Sequence, residues 1–212
     1  MRENENNKVT MCGTVYGDLE YSHEVLGEKF YKGVIATQRY SEVFDFIPFI
    51  VSERIINVND IHDGKILLIK GQYRSFNEIT DVKSYLRLFV FVQSVTYIDH
   101  PEAYYENTID LIGHVVKSSA CRQTPRGRKV TELIVAVDRA YGRSDYIPLI
   151  VWGRCAQYIS NIDIGKKVKI YGRIQSREYN KKVFEKEYEK RVAYEVSVKA
   201  LEILEDQEES NG

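Results

Sequence analysis

A chain of 212 residues with 43% hydrophobic content can fill one or two cores, and its formal net charge of −1 excludes a uniformly basic polyanion binder. The balance is uneven: residues 1–106 carry 11 Lys+Arg against 16 Asp+Glu, residues 107–204 carry 19 against 11, and the last eight residues add four acids. Three distant cysteines with no CxxC pair exclude a disulfide framework or a thiolate zinc site, and a polar start without a long apolar run makes the cytoplasm the expected compartment.

In chain order, the first half holds an acidic stretch, "EYSHEVLGEK" (20–29), read as the loop between its first two strands. "FDFIPFIVSER" (44–54) and "RLFVFVQSVTYI" (87–98) read as strands. A proline and polar residues in "DHPEAYYEN" (99–107) then break the pattern. In the second half "TIDLIGHVVKS" is strand one, "KVTELIVAVDR" strand two and "DYIPLIVW" strand three. "GRCAQYISNI" is a short helix with Ala156, Ile159 and Ile162 facing a core, "KKVKIYGRIQSREY" is strand four with a bend at Gly172, and "AYEVSVKALEIL" is strand five. Alternation in strand three puts Ile147, Leu149 and Val151 on one face and Tyr146, Pro148, Ile150 and Trp152 on the other. The first set is expected to fill a core, with Tyr146 and Trp152 outside it and about 20 Å apart at the strand rise.

The halves are copies of one unit. A shift of 100 aligns Gly13 with Gly113, Arg39 with Arg139, Asp45 with Asp145 and "IPFIV" (47–51) with "IPLIV" (147–151). A shift of 101 aligns Gly71 with Gly172 and Ser75 with Ser176. The order β-β-β-α-β-β describes an OB-fold, so the expected architecture is all-β: two tandem five-stranded Greek-key barrels, each with a short helix between strands three and four. The expected boundaries are a first unit at 1–99, a linker at 100–106, a second unit at 107–204 and an acidic tail at 205–212.

"YIPLIVWGRCAQ" and "GKKVKIYGRIQSREY" are the most specific parts of a stretch, residues 107–204, that resembles the bacterial single-stranded DNA-binding protein family. The first half resembles it more weakly, mainly through the repeat. The resemblance implies a non-enzymatic tandem form that protects single-stranded DNA in replication, recombination and repair, with bases stacked at four aromatic positions. Those positions are Tyr141, Tyr146, Trp152 and Tyr179. Around them lie Arg122, Arg126, Arg128 and Lys129 of the loop "CRQTPRGRK", and Arg139, Arg143, Arg154, Arg173 and Arg177, a cluster suited to phosphate binding with counterion release. The matching positions in the first half are Ser41, Phe46, Ser52 and Glu78, with Tyr40, Tyr73 and Phe76 nearby, so that half is expected to scaffold or pair, with a weak or absent DNA surface. The resemblance also implies a homodimer presenting four barrels. The tail "EDQEESNG" lacks the apolar tip of the family, so recruitment of partners through it is not expected.

No cofactor or metal is expected. His23, His62, His100 and His114 are scattered, and Asp138 and Asp145 suit strand ends better than a nuclease carboxylate set with Asp110. Binding of single-stranded RNA, or a replication-restart or protein-interaction role, stands as the alternative, because stacking accepts any base. An exposed apolar face at Phe46, Pro48 and Ile50 would favour the protein-interaction reading.

Overall fold

β-branched and aromatic runs set the strands. The computed structural model describes residues 6–80, 83–99, 106–182 and 188–205. Of the expected linker and tail, only Glu106 and Glu205 fall among them. The chain divides into two compact units: Lys8–Thr108 with Ile174–Glu195, and Ile109–Arg173 with Val196 onward and a short N-terminal piece.

The first unit is built on β1 (Asn7–Val15), β2 (Glu20–Val25), β3 (Glu28–Gln38), β4 (Phe44–Ser52), β5 (Ile66–Ile79) and β6 (Ser84–Tyr97). β1 pairs antiparallel with β3 and β5, β3 with β4, and β5 with β6. β4 then closes on β6 in parallel, with Phe49 opposite Val90 and Ile50 opposite Phe91. The circuit is a closed five-stranded barrel filled by Met11, Ile35, Ile47, Phe49, Leu67 and Ile69, all buried.

The second unit repeats the circuit with β7 (Asn107–Ser118), β8 (Arg122–Gln123), β9 (Lys129–Asp138), β10 (Ser144–Trp152), α1 (Gly153–Ile159), β11 (Lys167–Lys182) and β12 (Tyr188–Leu204). β7 pairs with β9 and β11, and β9 pairs with β10. β10 meets β12 in parallel, with Leu149 opposite Val196. Ile109, Leu111, Val115, Val135, Ile147 and Val151 fill the interior.

Three details differ from the expectations. The stretch read as an acidic loop is strand β2, turned onto β3 by the two residues Leu26 and Gly27, at φ 50° and 77°. Two positive φ values make the tight hairpin turn whose twist matches its strands. The short helix expected in the first unit is a single 3₁₀ turn at Val58–Asp60. Asn57 accepts the Asn59 N–H at 3.3 Å, and such local polar bonds compete with helix formation. Ile56 and Ile61 still bury around that turn, as Ala156 and Ile159 do from α1. α1 itself stops at Ile159, short of Ile162.

The repeated glycines mark places where strands cross closely. A Cβ on Gly172 would stand 2.5 Å from the Ser197 carbonyl oxygen, and one on Gly113 would stand 2.5 Å from that of Ala136. Only a backbone shift relieves such a contact, so a side chain at these positions is costly.

Candidate nucleic-acid interface

β10 sorts its side chains by alternation. Asp145, Ile147, Leu149 and Val151 point inward and are buried, while Tyr146 is 46% exposed and Trp152 is half-buried. β9 runs alongside with Ala136 opposite Tyr146, Ile134 opposite Pro148 and Glu132 opposite Ile150. The outer face is therefore an apolar strip, half-buried at Pro148, Ile134 and Ala136 and buried at Ile150, crossed near one end by a carboxylate. Arg122 neutralises that carboxylate, its guanidinium 2.6 Å from Glu132. Glu132 went unremarked in the sequence, although its parity with Ile134 and Ala136 already placed it on this face.

Tyr141 sits in the turn between β9 and β10 at φ 64°, beside Gly142 at φ 67°. A bulky residue in the left-handed region is strained, and such strain concentrates at functional sites. The turn leaves the Tyr141 ring fully exposed.

The loop between β8 and β9 is a tight hairpin. Thr124 N–H donates to the Arg128 carbonyl and Gly127 N–H to that of Thr124, each at 2.8 Å. It displays Arg126, Arg128 and Lys129 to solvent, and Arg143 and Arg154 are exposed on the turn and on α1. A groove of about 440 Å³ separates the loop from α1, lined by Arg122, Lys129, Gln157 and Ser160 among others. Among the described residues no cluster of His, Cys, Asp or Glu could hold a metal ion.

The remaining basic residues are engaged differently. Arg139 lies 2.8 Å from the fully buried Asp145, and Arg39 grips Asp45 in the first unit in the same way. These pairs explain why both residues recur in the repeat. Hydrogen bonding to Asp45 raises the Arg39 pKa further. Arg173 is half-buried.

Arg177 and Tyr179 belong to the other compact unit, on the β11 segment of the Ile174–Glu195 hairpin. Arg177 lies 3.4 Å from Glu195, and its guanidinium stands 5.8 Å from the centre of the Tyr179 ring, which is 37% exposed. At its base Gln175 Nε2 donates to Glu195 at 2.7 Å.

The first barrel's outer face is built from other residues. Phe46 is 40% exposed, and Tyr16 meets it edge-on with ring centroids 5.0 Å apart. Ser52, at the position matching Trp152, is buried and donates to the Glu28 carboxylate, which Arg54 approaches at 3.3 Å. Tyr73 is fully buried, Phe76 packs edge-on against Phe89, and Glu78 pairs with Arg87. Tyr40 is almost fully exposed.

The profile of the "Single-strand binding protein family" matches residues 106–204. A "Single-stranded DNA-binding protein" of Clostridium tetani is 39% identical over 83 residues, covering 36% of this chain and 57% of that protein. "Single-stranded DNA-binding protein 2" of Clostridium acetobutylicum is 34% identical over 103 residues, 45% of this chain and 77% of that protein. The chain thus spans little more than half the length of some of these relatives. The crystal structure of the wild-type single-stranded DNA binding protein from Thermus aquaticus superposes with a TM-score of 0.75 at 19% identity, covering 97% of this chain and 96% of that one. That likeness extends the fold to both barrels.

Proposed function

The chain belongs to the single-strand binding protein family, and from that premise we propose that it binds single-stranded DNA without strong sequence preference and protects it during replication, recombination and repair. One observation carries the reading. β10 buries Ile147, Leu149 and Val151 while turning Tyr146 and Trp152 outward beside a hairpin of exposed cations. Rings at that spacing stack bases of any identity, and Arg126, Arg128, Lys129, Arg143 and Arg154 meet the phosphates. Tyr141 adds an exposed platform at the turn, and in the other compact unit Tyr179 with Arg177 forms a further stacking position. Arg122 cancels Glu132 on the same face, and Arg139 holds the start of β10 through Asp145.

The first barrel serves chiefly as scaffold, because a Ser52–Glu28–Arg54 network fills the position of the tryptophan platform. A homodimer supplies four barrels. The protein works in a reducing cytoplasm, with Cys12, Cys121 and Cys155 as free thiols.

Tryptophan fluorescence tests the binding directly, since Trp152 is the sole indole. Oligo-dT quenches it, and the log of affinity falls with log salt at a slope of about −2 to −3.5, as expected for three to five cations on a single strand at ~0.7 per phosphate. Oligo-U in the same series separates DNA from RNA preference. No quenching at low salt, or equal affinity for duplex, contradicts the reading.

A further inference from the structure

Ser176 is one of the points at which the β11 segment that carries Tyr179 is fastened to the first barrel. Ser176 N–H donates to Asp45 Oδ1 at 2.7 Å, its carbonyl accepts from Arg39 Nη2 at 3.1 Å, and its hydroxyl accepts the Phe46 N–H at 3.0 Å. Asp45 has no exposed surface and also receives Arg39 Nε at 2.7 Å. Donor and acceptor groups of one serine are therefore matched by a preformed ion pair and by the backbone of β4.

Strand alternation turns this fastening into a device. Ser176 and Glu178 share one face of β11, and Gln175, Arg177 and Tyr179 share the other. With Ser176 held against β4, Arg177 and Tyr179 are presented away from it. A second attachment steadies the partner strand: the Arg191 guanidinium stands 5.5 Å from the centre of the Tyr85 ring on β6. Lys190 ties to Glu178 across the hairpin at 2.6 Å.

We propose that the Arg39–Asp45 pair of the first barrel is a positioning element for DNA binding, fixing β11 at Ser176 so that Tyr179 meets a base. Neither residue touches DNA. The proposal rests on the reading of Tyr179 as a stacking platform, and it gives the scaffold barrel a defined task.

A double-mutant cycle on the full chain tests it, with fluorescein-labelled oligo-dT and anisotropy as the readout. Tyr179→Ala weakens binding by about 5- to 150-fold. Asp45→Asn, which keeps the shape but removes the charge that holds Arg39, weakens binding by about threefold or more in the wild-type background. In the Tyr179→Ala background it has no further effect, because the platform it positions is gone. Ser176→Ala, which removes the hydroxyl bond to Phe46, follows the same pattern with a smaller loss and replaces Asp45→Asn if that variant does not fold. An additive loss in both backgrounds, or no loss from either variant when folded, overturns the positioning role. If Tyr179→Ala itself leaves affinity unchanged, the platform reading of Tyr179 fails instead.

Discussion

Trp152 and Tyr146 show how far single residues could be read. Two-residue alternation placed them outside the barrel, and the structure keeps them there because Ile147, Leu149 and Val151 take the inner face. Arg139 was legible only as a cation near the site. Its partner Asp145 is six positions away, and only the fold shows that the carboxylate is fully buried beneath it. Removing a buried partner strands a charge, so Asp145→Ala should lower unfolding free energy by about 3–5 kcal/mol. Asp138, exposed and bonded only weakly to the Ser144 hydroxyl at 3.1 Å, should cost about 0.5 kcal/mol or less as Asp138→Ala. Urea denaturation of the two variants checks the contrast, and equal losses would reject the structural role of the Arg139–Asp145 pair.

The strands were legible as elements because their apolar runs and alternation are strong, and the glycine breaks fell where strands cross. The charged hairpin arm β2 was not, since its six residues lie almost wholly in solvent and carry no inward face to signal a strand. The helix of the first unit failed for a related reason: Ile56 and Ile61 supplied the buried contacts, but the asparagines between them favour local turns over a helical ladder. Gly172 was read as a bend, whereas the stronger constraint is the Ser197 carbonyl crossing over it. Gly172→Ala should therefore destabilise by about 1–3 kcal/mol through forced backbone shifts. Thermal unfolding at wild-type stability would contradict that constraint.

For the whole molecule, the repeat in the sequence implies two barrels, and the closed circuits of β1 to β6 and β7 to β12 bear out the OB architecture. The grouping of Ile174–Glu195 with the first barrel was invisible in the sequence, because it rests on contacts between distant residues, among them Ser176 meeting an ion pair more than 130 positions away. The charge asymmetry between halves suggests the proposed division of labour, and the Ser52–Glu28–Arg54 network occupies the position that matches Trp152. Pairing of chains is a separate question of assembly. Light scattering at micromolar concentration should return twice the chain mass, and a monomer mass would reject the four-barrel assembly.

The central claim is that the second barrel's outer face holds the strand. Affinity for labelled oligo-dT in Trp152→Ala and Phe46→Ala, side by side at one salt concentration, tests it most directly. Stacking on such rings is worth about 1–3 kcal/mol per base, a magnitude established on single-strand binding proteins themselves. Trp152→Ala should lose that amount and Phe46→Ala much less. Equal losses from the two variants would contradict the account.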